Sequence, residues 1–374
     1  MPGTTQRDRK LEIFLTAPPG LEAILCDEVR EAGFEAPEPT PGGVSIRGGW
    51  PEVWRANLCL RGASRVLVRV AEFRAMHPAQ LDKRARKVDW AGVLRADVPV
   101  RVEASCTRSK IYHAGAAAQR VERAITEELG ASVSKGAALR IMVRIEDDLC
   151  TISVDSSGEL LHRRGHKQFV GKAPLRETLA SLFLRQCGYR GKESVLDPMC
   201  GSGSFVIEAA EIAAGLCPGR GRSFAFEKLA SFNTQAWQQL QTTLPLETDL
   251  AFYGSDRDAG AIQGAISNAE RAGVAKICNF SQFAISDLQR PEGPPGLVMV
   301  NPPYGSRIGN KKLLFGLYGA LGKTLHARFS GWRVGLVTSE AGLARATGLP
   351  FAPPGPPIPH GGLKIRLWQT GILP

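Results

Sequence analysis

Val195-Leu196-Asp197-Pro198-Met199-Cys200-Gly201-Ser202-Gly203-Ser204-Phe205 reads as a short apolar strand, a tight glycine turn and the first residues of a helix that continues over 206–214. Such a unit opens a doubly wound parallel sheet, whose ligands bind at the carboxyl ends of the strands. The spacing is not the G-x-G-x-x-G of dinucleotide folds, because Val206 stands at the last position, and no Gly-Lys-Ser/Thr closes it as in a phosphate loop. Asp197 at the mouth of the turn disfavours phosphate and favours a cationic amine. Gly201 and Gly203 let the backbone approach a ligand closely. Taken alone, the stretch is also compatible with a glycine turn that binds nothing.

Two further stretches extend the pattern. Leu250-Ala251-Phe252-Tyr253 reads as a second strand, ending in Gly254-Ser255-Asp256-Arg257-Asp258 and followed by a helix over 259–272. An acid at this strand end is placed to accept hydrogen bonds from both ribose hydroxyls of a nucleotide. Asp256 is expected in that role, and Asp258 nearer the helix cap. The apolar run 297–300 then delivers Asn301-Pro302-Pro303-Tyr304-Gly305. An apolar run ending in Pro-Pro reads as a buried strand feeding a loop. That loop offers a side-chain amide oxygen, prolyl carbonyls and an aromatic face, a set suited to a flat molecule carrying an amino group.

In this order the three motifs resemble the class I methyltransferases that use S-adenosylmethionine, over residues 170–374. The resemblance implies that Asp197, Cys200 and the Gly201–Gly203 loop hold the methionine part of the cofactor and that Asp256 holds its ribose. The family usually places an acid beside the adenine amine near Ala284, and here the nearest is Asp287. Asn301, the Pro302 carbonyl and Tyr304 would hold a planar amine. An exocyclic base amine is a poor nucleophile because its lone pair is delocalised into the ring. Two acceptors on its hydrogens favour a tetrahedral nitrogen, and the rest is proximity and orientation. A base buried in a helix must leave its stack to reach such a loop.

The formal net charge of +11 suits a polyanionic partner. It is uneven: residues 1–165 hold 25 basic and 22 acidic residues (+3), and residues 166–374 hold 22 and 14 (+8). Within 74–120 there are 10 basic and 4 acidic residues. The eight cysteines are scattered with no C-x-x-C pair, which argues against zinc ribbons, iron–sulfur clusters and a disulfide framework. His162 and His166 are separated by Arg-Arg-Gly, which breaks a helical metal pair, so no metal is expected. The polar stretch 1–10 carries no apolar signal core, and no apolar run reaches the ~20 residues of a membrane span. A cytoplasmic protein without membrane contact is expected.

The front half alternates short strands and helices, the pattern of small α+β, often ferredoxin-like, layers. Strands are expected at 11–15, 43–47, 65–73, 98–105, 139–146 and 151–156, and helices at 20–32, 50–58 and 115–129. The last would bury Ala116, Ala117, Val121, Ile125 and Leu129, and Gly158 would sit in a hairpin turn. Ser64-Arg65-Val66-Leu67, Ser109-Lys110-Ile111-Tyr112-His113 and Ala118-Gln119-Arg120-Val121 look like a THUMP domain, an RNA-binding module of RNA-modifying enzymes. Leu161-His162-Arg163-Arg164-Gly165-His166 and the stretch from Ala173-Pro174 onward look like the junction to the methyltransferase, with Pro174 starting a helix. The expected architecture is α/β and α+β: a ferredoxin-like region (1–64), a THUMP domain (65–160), a linker (161–175) and a Rossmann-like class I methyltransferase domain with a mostly parallel sheet (176–374). The proline-rich stretch 350–359 is expected as an irregular loop, followed by an antiparallel strand over 363–370.

With the front half included, the chain resembles the bacterial family that methylates N2 of guanine in 23S ribosomal RNA. A related family modifies transfer RNA. Arg108, Lys110, His113 and Arg120 would then contact RNA phosphates, which position the RNA without reading its sequence. The Asn-Pro-Pro-Tyr loop also serves N6-adenine DNA methyltransferases and enzymes that methylate a glutamine side chain. An RNA-binding assembly factor that keeps the fold without turnover is the reading from another class.

Overall fold

A computed structural model of the chain describes residues 10–170, 174–242, 245–305 and 311–374. The expectations for residues 1–9 and for Ala173 lie outside them. The chain divides into two compact units.

The first unit begins with β1 (Leu11–Thr16), α1 (Glu22–Glu31), β2 (Glu38–Thr40), β3 (Gly43–Gly48), α2 (Trp50–Cys59) and β4 (Arg65–Arg74). The strand order β2-β3-β1-β4 with two crossing helices is ferredoxin-like. Beyond β4 come α3 (Pro78–Ala85), β5 (Val100–Thr107), α4 (Ala114–Leu129), β6 (Leu139–Glu146) and β7 (Leu149–Asp155). Because β7 pairs with β4, one seven-stranded sheet of order β2-β3-β1-β4-β7-β6-β5 runs across the boundary expected at residue 64. Alternation explains its one-sided core. In β6, Leu139, Ile141, Val143 and Ile145 are buried while Arg144 is exposed. In α4 the buried residues are Ala117, Val121, Ala124 and Ile125, so Ala124 replaces the expected Ala116 and Leu129. Gly158 does turn the chain, at φ +79°, but β7 ends at Asp155 and no hairpin partner follows.

The second unit opens with α5 (Glu177–Gln186), β8 (Val195–Asp197) and α6 (Ser204–Ala213). The cap of α5 is Arg176, so Pro174 stands outside the helix it was expected to start. The chain then returns to the first unit over Arg222–Thr242, a stretch that includes α7 (Thr234–Gln241) and falls inside the range expected for the methyltransferase domain. Aromatic packing accounts for this. Phe226 lies 5.0 Å from Trp237 and 6.1 Å from Trp54 of α2, centroid to centroid.

The remaining elements are β9 (Phe252–Asp256), α8 (Ala259–Ala272), β10 (Cys278–Gln282), β11 (Leu297–Val300), α9 (Lys311–Arg328), β12 (Arg333–Thr338), α10 (Ala341–Ala346), β13 (Ile358–His360) and β14 (Leu363–Gln369). They complete a sheet of order β10-β9-β8-β11-β12-β14-β13. It is parallel except for β14, which runs antiparallel to β12 and β13. The stretch 350–359 is therefore not wholly irregular, since β13 begins inside it. Chain order reverses at β8, which lies between β9 and β11, and this is where an open α/β sheet forms its ligand crevice. Among the described residues no helix is long and apolar enough to cross a membrane.

Candidate active site

Three loops leave the carboxyl ends of β8, β9 and β11, which are neighbours in the sheet. Asp197 ends β8, is 3% exposed, and its Oδ1 accepts from the Met199 amide at 3.0 Å. Burial pushes its carboxyl pKa well above the usual carboxylate range; the Met199 amide opposes the shift and nearby Asp256 adds to it. A carboxylate held this way gains from a cation. The glycine turn follows, with Gly201 at φ +51° and Gly203 at φ +82°, and closes with a 2.8 Å bond from the Gly203 amide to the Cys200 carbonyl. A Cβ on Gly203 would sit tightly, 3.1 Å from Ile207 and 3.3 Å from Ala265 and Phe280, whereas one on Gly201 would meet nothing within 4 Å.

Asp256 ends β9. Its Oδ2 accepts from the Gly201 amide at 3.1 Å and its Oδ1 from the Asp258 amide at 3.0 Å. The first bond ties the second strand end to the glycine turn and leaves carboxylate lone pairs for a diol. Asp258 caps α8 by accepting from the Gly260 and Ala261 amides at 2.8 and 3.3 Å. Burial holds the Cys200 thiol well above its ordinary pKa, so it stays protonated and lines the turn.

Asn301 follows directly on β11, whose four residues are all buried. Its loop is fixed from two sides. The Tyr318 hydroxyl of α9 lies 3.3 Å from the Pro303 carbonyl, and the Gly305 amide donates to Glu340 Oε1 at 3.2 Å. Tyr304 is 9% exposed, and burial raises its phenol to about 12, which keeps it neutral. It offers a ring face, not a base.

Asp287 sits in a one-turn helix over Ile285–Asp287 and is exposed, with Oδ1 3.3 Å from Ser286 Oγ. The sequence reading passed over Phe283, which comes just after β10. It is 46% exposed, and its amide donates to the Asp256 carbonyl at 3.1 Å. Its backbone therefore lies beside that of the ribose candidate; an aromatic residue one step past a strand end is the signal in the sequence.

The stretch read as a linker is built into the second unit. Arg164 is buried and ion-paired with Glu208 and Glu211 of α6. Lys167 Nζ donates to Ser204 Oγ at 2.7 Å and to the Leu175 carbonyl at 2.8 Å, and lies 3.3 Å from Glu177. Phe169 occupies the notch left by Gly264, where a Cβ would fall 2.2 Å from its ring. Asn268 of α8 then bridges this strap to the glycine turn, bonding the carbonyls of Phe169 at 3.1 Å and Ser202 at 3.0 Å.

In the first unit the four RNA candidates are differently employed. Arg108, at φ +48°, is held by Asp147 at 3.0 Å and Glu146 at 2.8 Å. His113 caps α4 by accepting from the Ala116 amide at 3.0 Å, which leaves only its other ring nitrogen outward. Lys110 is exposed, as is Tyr112 beside it at 84%, and Arg120 is half-buried on α4. The open face of the sheet bounds a concavity of about 1260 Å³ lined, among the described residues, by five basic and seven acidic ones, a balance that does not favour a polyanion.

Residues 164–349 match the family described as RMKL-like, methyltransferase domain, and residues 12–67 match the RlmL ferredoxin-like domain. The chain is 35% identical, over 97% of its length, to Ribosomal RNA large subunit methyltransferase K/L of Methylococcus capsulatus. It spans about half (51%) of that relative. Among solved structures, one described as a possible methylase from Clostridium difficile 630 is 28% identical with a TM-score of 0.89, covering 98% of this chain and 99% of its own. Another, described as a methyltransferase complexed with SAH, is 25% identical with a TM-score of 0.88, covering 97% and 98%. S-adenosylmethionine, the cofactor of the family, fits the residues present: a buried acid for an ammonium, a glycine turn at positive φ, and a second acid with lone pairs for a diol.

Proposed function

Because the chain belongs to the class I S-adenosylmethionine-dependent methyltransferases with an RMKL-like catalytic domain, we propose that it transfers a methyl group to the exocyclic N2 amine of a guanine in large-subunit ribosomal RNA. The observation that carries this reading is the adjacency of β8 and β11, which opens the glycine turn and the Asn301–Gly305 loop into one crevice. Asp197, Cys200, Gly201 and Gly203 hold the methionine part of the cofactor, and Asp256 its ribose. Phe283 covers the adenine, with the exposed Asp287 at most at its edge. When bound, the cofactor supplies an electrophilic sulfonium methyl.

Asn301 Oδ1 and the Pro302 carbonyl accept the two amine hydrogens and orient the nitrogen lone pair toward that methyl, while Tyr304 stacks on the base and fixes its plane. The amine proton leaves after the nitrogen has become positive, so no strong base is needed. Proximity and alignment supply most of the acceleration. Lys110 and Arg120 of the first unit contact RNA phosphates, and Arg108 and His113 join them only by giving up part of their present bonds. The match to a ribosomal RNA methyltransferase across most of this chain supports ribosomal over transfer RNA.

The test is tritium transfer from labelled cofactor to large-subunit ribosomal RNA, transfer RNA, DNA and protein, with nucleoside analysis of the product. Label in N2-methylguanosine of ribosomal RNA is expected. Label in N6-methyladenine or in protein would overturn the reading.

A further inference from the structure

The second unit holds a cavity of about 620 Å³ that has the Tyr304 ring in its wall and is otherwise built by the strap, the start of α5 and the β13–β14 turn. The volume lies within the ~300–1,000 Å³ of small-molecule sites, enough for a nucleotide and more than one ion needs. Among the described residues its charged lining is one-sided: Arg163, Arg164, Lys167 and Arg176 against Glu177, four positive and one negative. The roles separate further. Arg164 is committed to Glu208 and Glu211 beneath the surface, and Lys167 spends its donors on Ser204, Leu175 and Glu177. Arg176 is exposed, and as the cap residue of α5 its side chain makes no capping bond.

Two imidazoles, His162 and His360, complete the wall. Burial lowers both pKa values, His162 to about 4, with the Arg176 charge the next cause in each. They are therefore neutral inside a field made by guanidinium groups, and His360 donates its one N–H to the Pro174 carbonyl. An outward arginine beside an aromatic ring matches a nucleotide, whose base takes the ring and whose phosphate takes the guanidinium.

We propose that this cavity binds the RNA phosphodiester flanking the methylated nucleotide, with Arg176 as its contact and Tyr304 joining it to the base. The proposal rests on the reading of the Asn301–Gly305 loop as the base site. A phosphate anchored there would hold the flipped nucleotide while the amine is aligned.

The test uses the full chain saturated with S-adenosylhomocysteine and titrates guanosine, guanosine 3′,5′-bisphosphate, adenosine 3′,5′-bisphosphate and inorganic phosphate. Guanosine bisphosphate should bind about tenfold more tightly than guanosine, the effect of one charge-assisted hydrogen bond. The advantage should disappear in Arg176→Ala and persist in part in Arg176→Lys, with S-adenosylhomocysteine affinity unchanged in both. Equal binding of nucleoside and bisphosphate, or an advantage unchanged in Arg176→Ala, overturns the proposal. Inorganic phosphate binding as tightly as the bisphosphate would make this a free-phosphate site and also overturn it. Tighter binding of the adenosine than of the guanosine bisphosphate would keep the phosphate site and remove guanine as the target.

Discussion

The Tyr318 hydroxyl lies 3.3 Å from the carbonyl of Pro303 and 3.3 Å from Thr338 Oγ1, so one buried phenol joins the Asn301–Gly305 loop to the end of β12. Tyr318 is fully buried on α9, and burial raises its pKa, so the hydroxyl serves as a neutral fixed donor. It touches neither cofactor nor base in this account; it positions the residues that do.

Tyr318→Phe should therefore lower kcat roughly tenfold to a hundredfold, the scale of a sub-ångström to 1 Å misplacement of a reacting group. The dissociation constant of S-adenosylhomocysteine should stay within about twofold. Calorimetry beside single-turnover kinetics checks both; a loss of cofactor affinity equal to the loss of kcat would reject a role confined to the acceptor loop.

Asp197 couples cofactor binding to pH. Its folded-state pKa is raised, mainly by burial. The sign follows: its contribution to stability is present below the ordinary carboxylate pKa of about 3.9 and is lost as pH rises through the folded value. A cationic amine binds the ionised form, so affinity for the cofactor should increase with pH above the ordinary carboxylate range, with release of a proton. Asp197→Asn should flatten that dependence and weaken binding, while the melting temperature of the cofactor-free protein at neutral pH stays equal or rises. Calorimetry in buffers of different ionisation enthalpy measures the proton directly.

The strap should respond as core, not as linker. Arg164→Met would take the guanidinium from buried Glu208 and leave Glu211 with that of Arg220, and breaking a buried pair typically costs about 3–5 kcal/mol. Gly264→Ala pushes a methyl into the Phe169 ring and should cost about 1–3 kcal/mol. Both are read from urea denaturation. Wild-type stability in both variants would show that residues 162–170 do not pack as described.

What was legible beforehand follows from how local the determinants are. The helix Ala259–Ala272 matched the expected limits because both ends are marked in the chain, by the Asp258 cap and by Gly273 at φ +75°. The run Leu297–Val300 was legible because all four side chains are buried, as a central parallel strand requires. The helix Pro78–Ala85 was missed because only Leu81 and Ala85 of its residues are buried, too little for a periodic stripe. The strap was misread because its charges find partners far along the chain: Arg164 meets Glu208 44 residues later. The same holds for Arg222–Thr242, where Phe226 and Phe232 reach back to Trp54. At the site, the acids and the Asn-Pro-Pro-Tyr loop carry local signatures. His360 and Arg176 do not, because only the fold brings them beside Tyr304.

The most direct measurement is single-turnover methyl transfer to large-subunit ribosomal RNA by wild type and Asn301→Ala, with S-adenosylhomocysteine affinity determined on the same preparations. A fall in rate of at least about a hundredfold, the cost of losing an electrostatic contact made in the transition state, with affinity preserved, is the expected result. Equal rates in the two proteins would contradict the central claim that this loop grips the amine that receives the methyl.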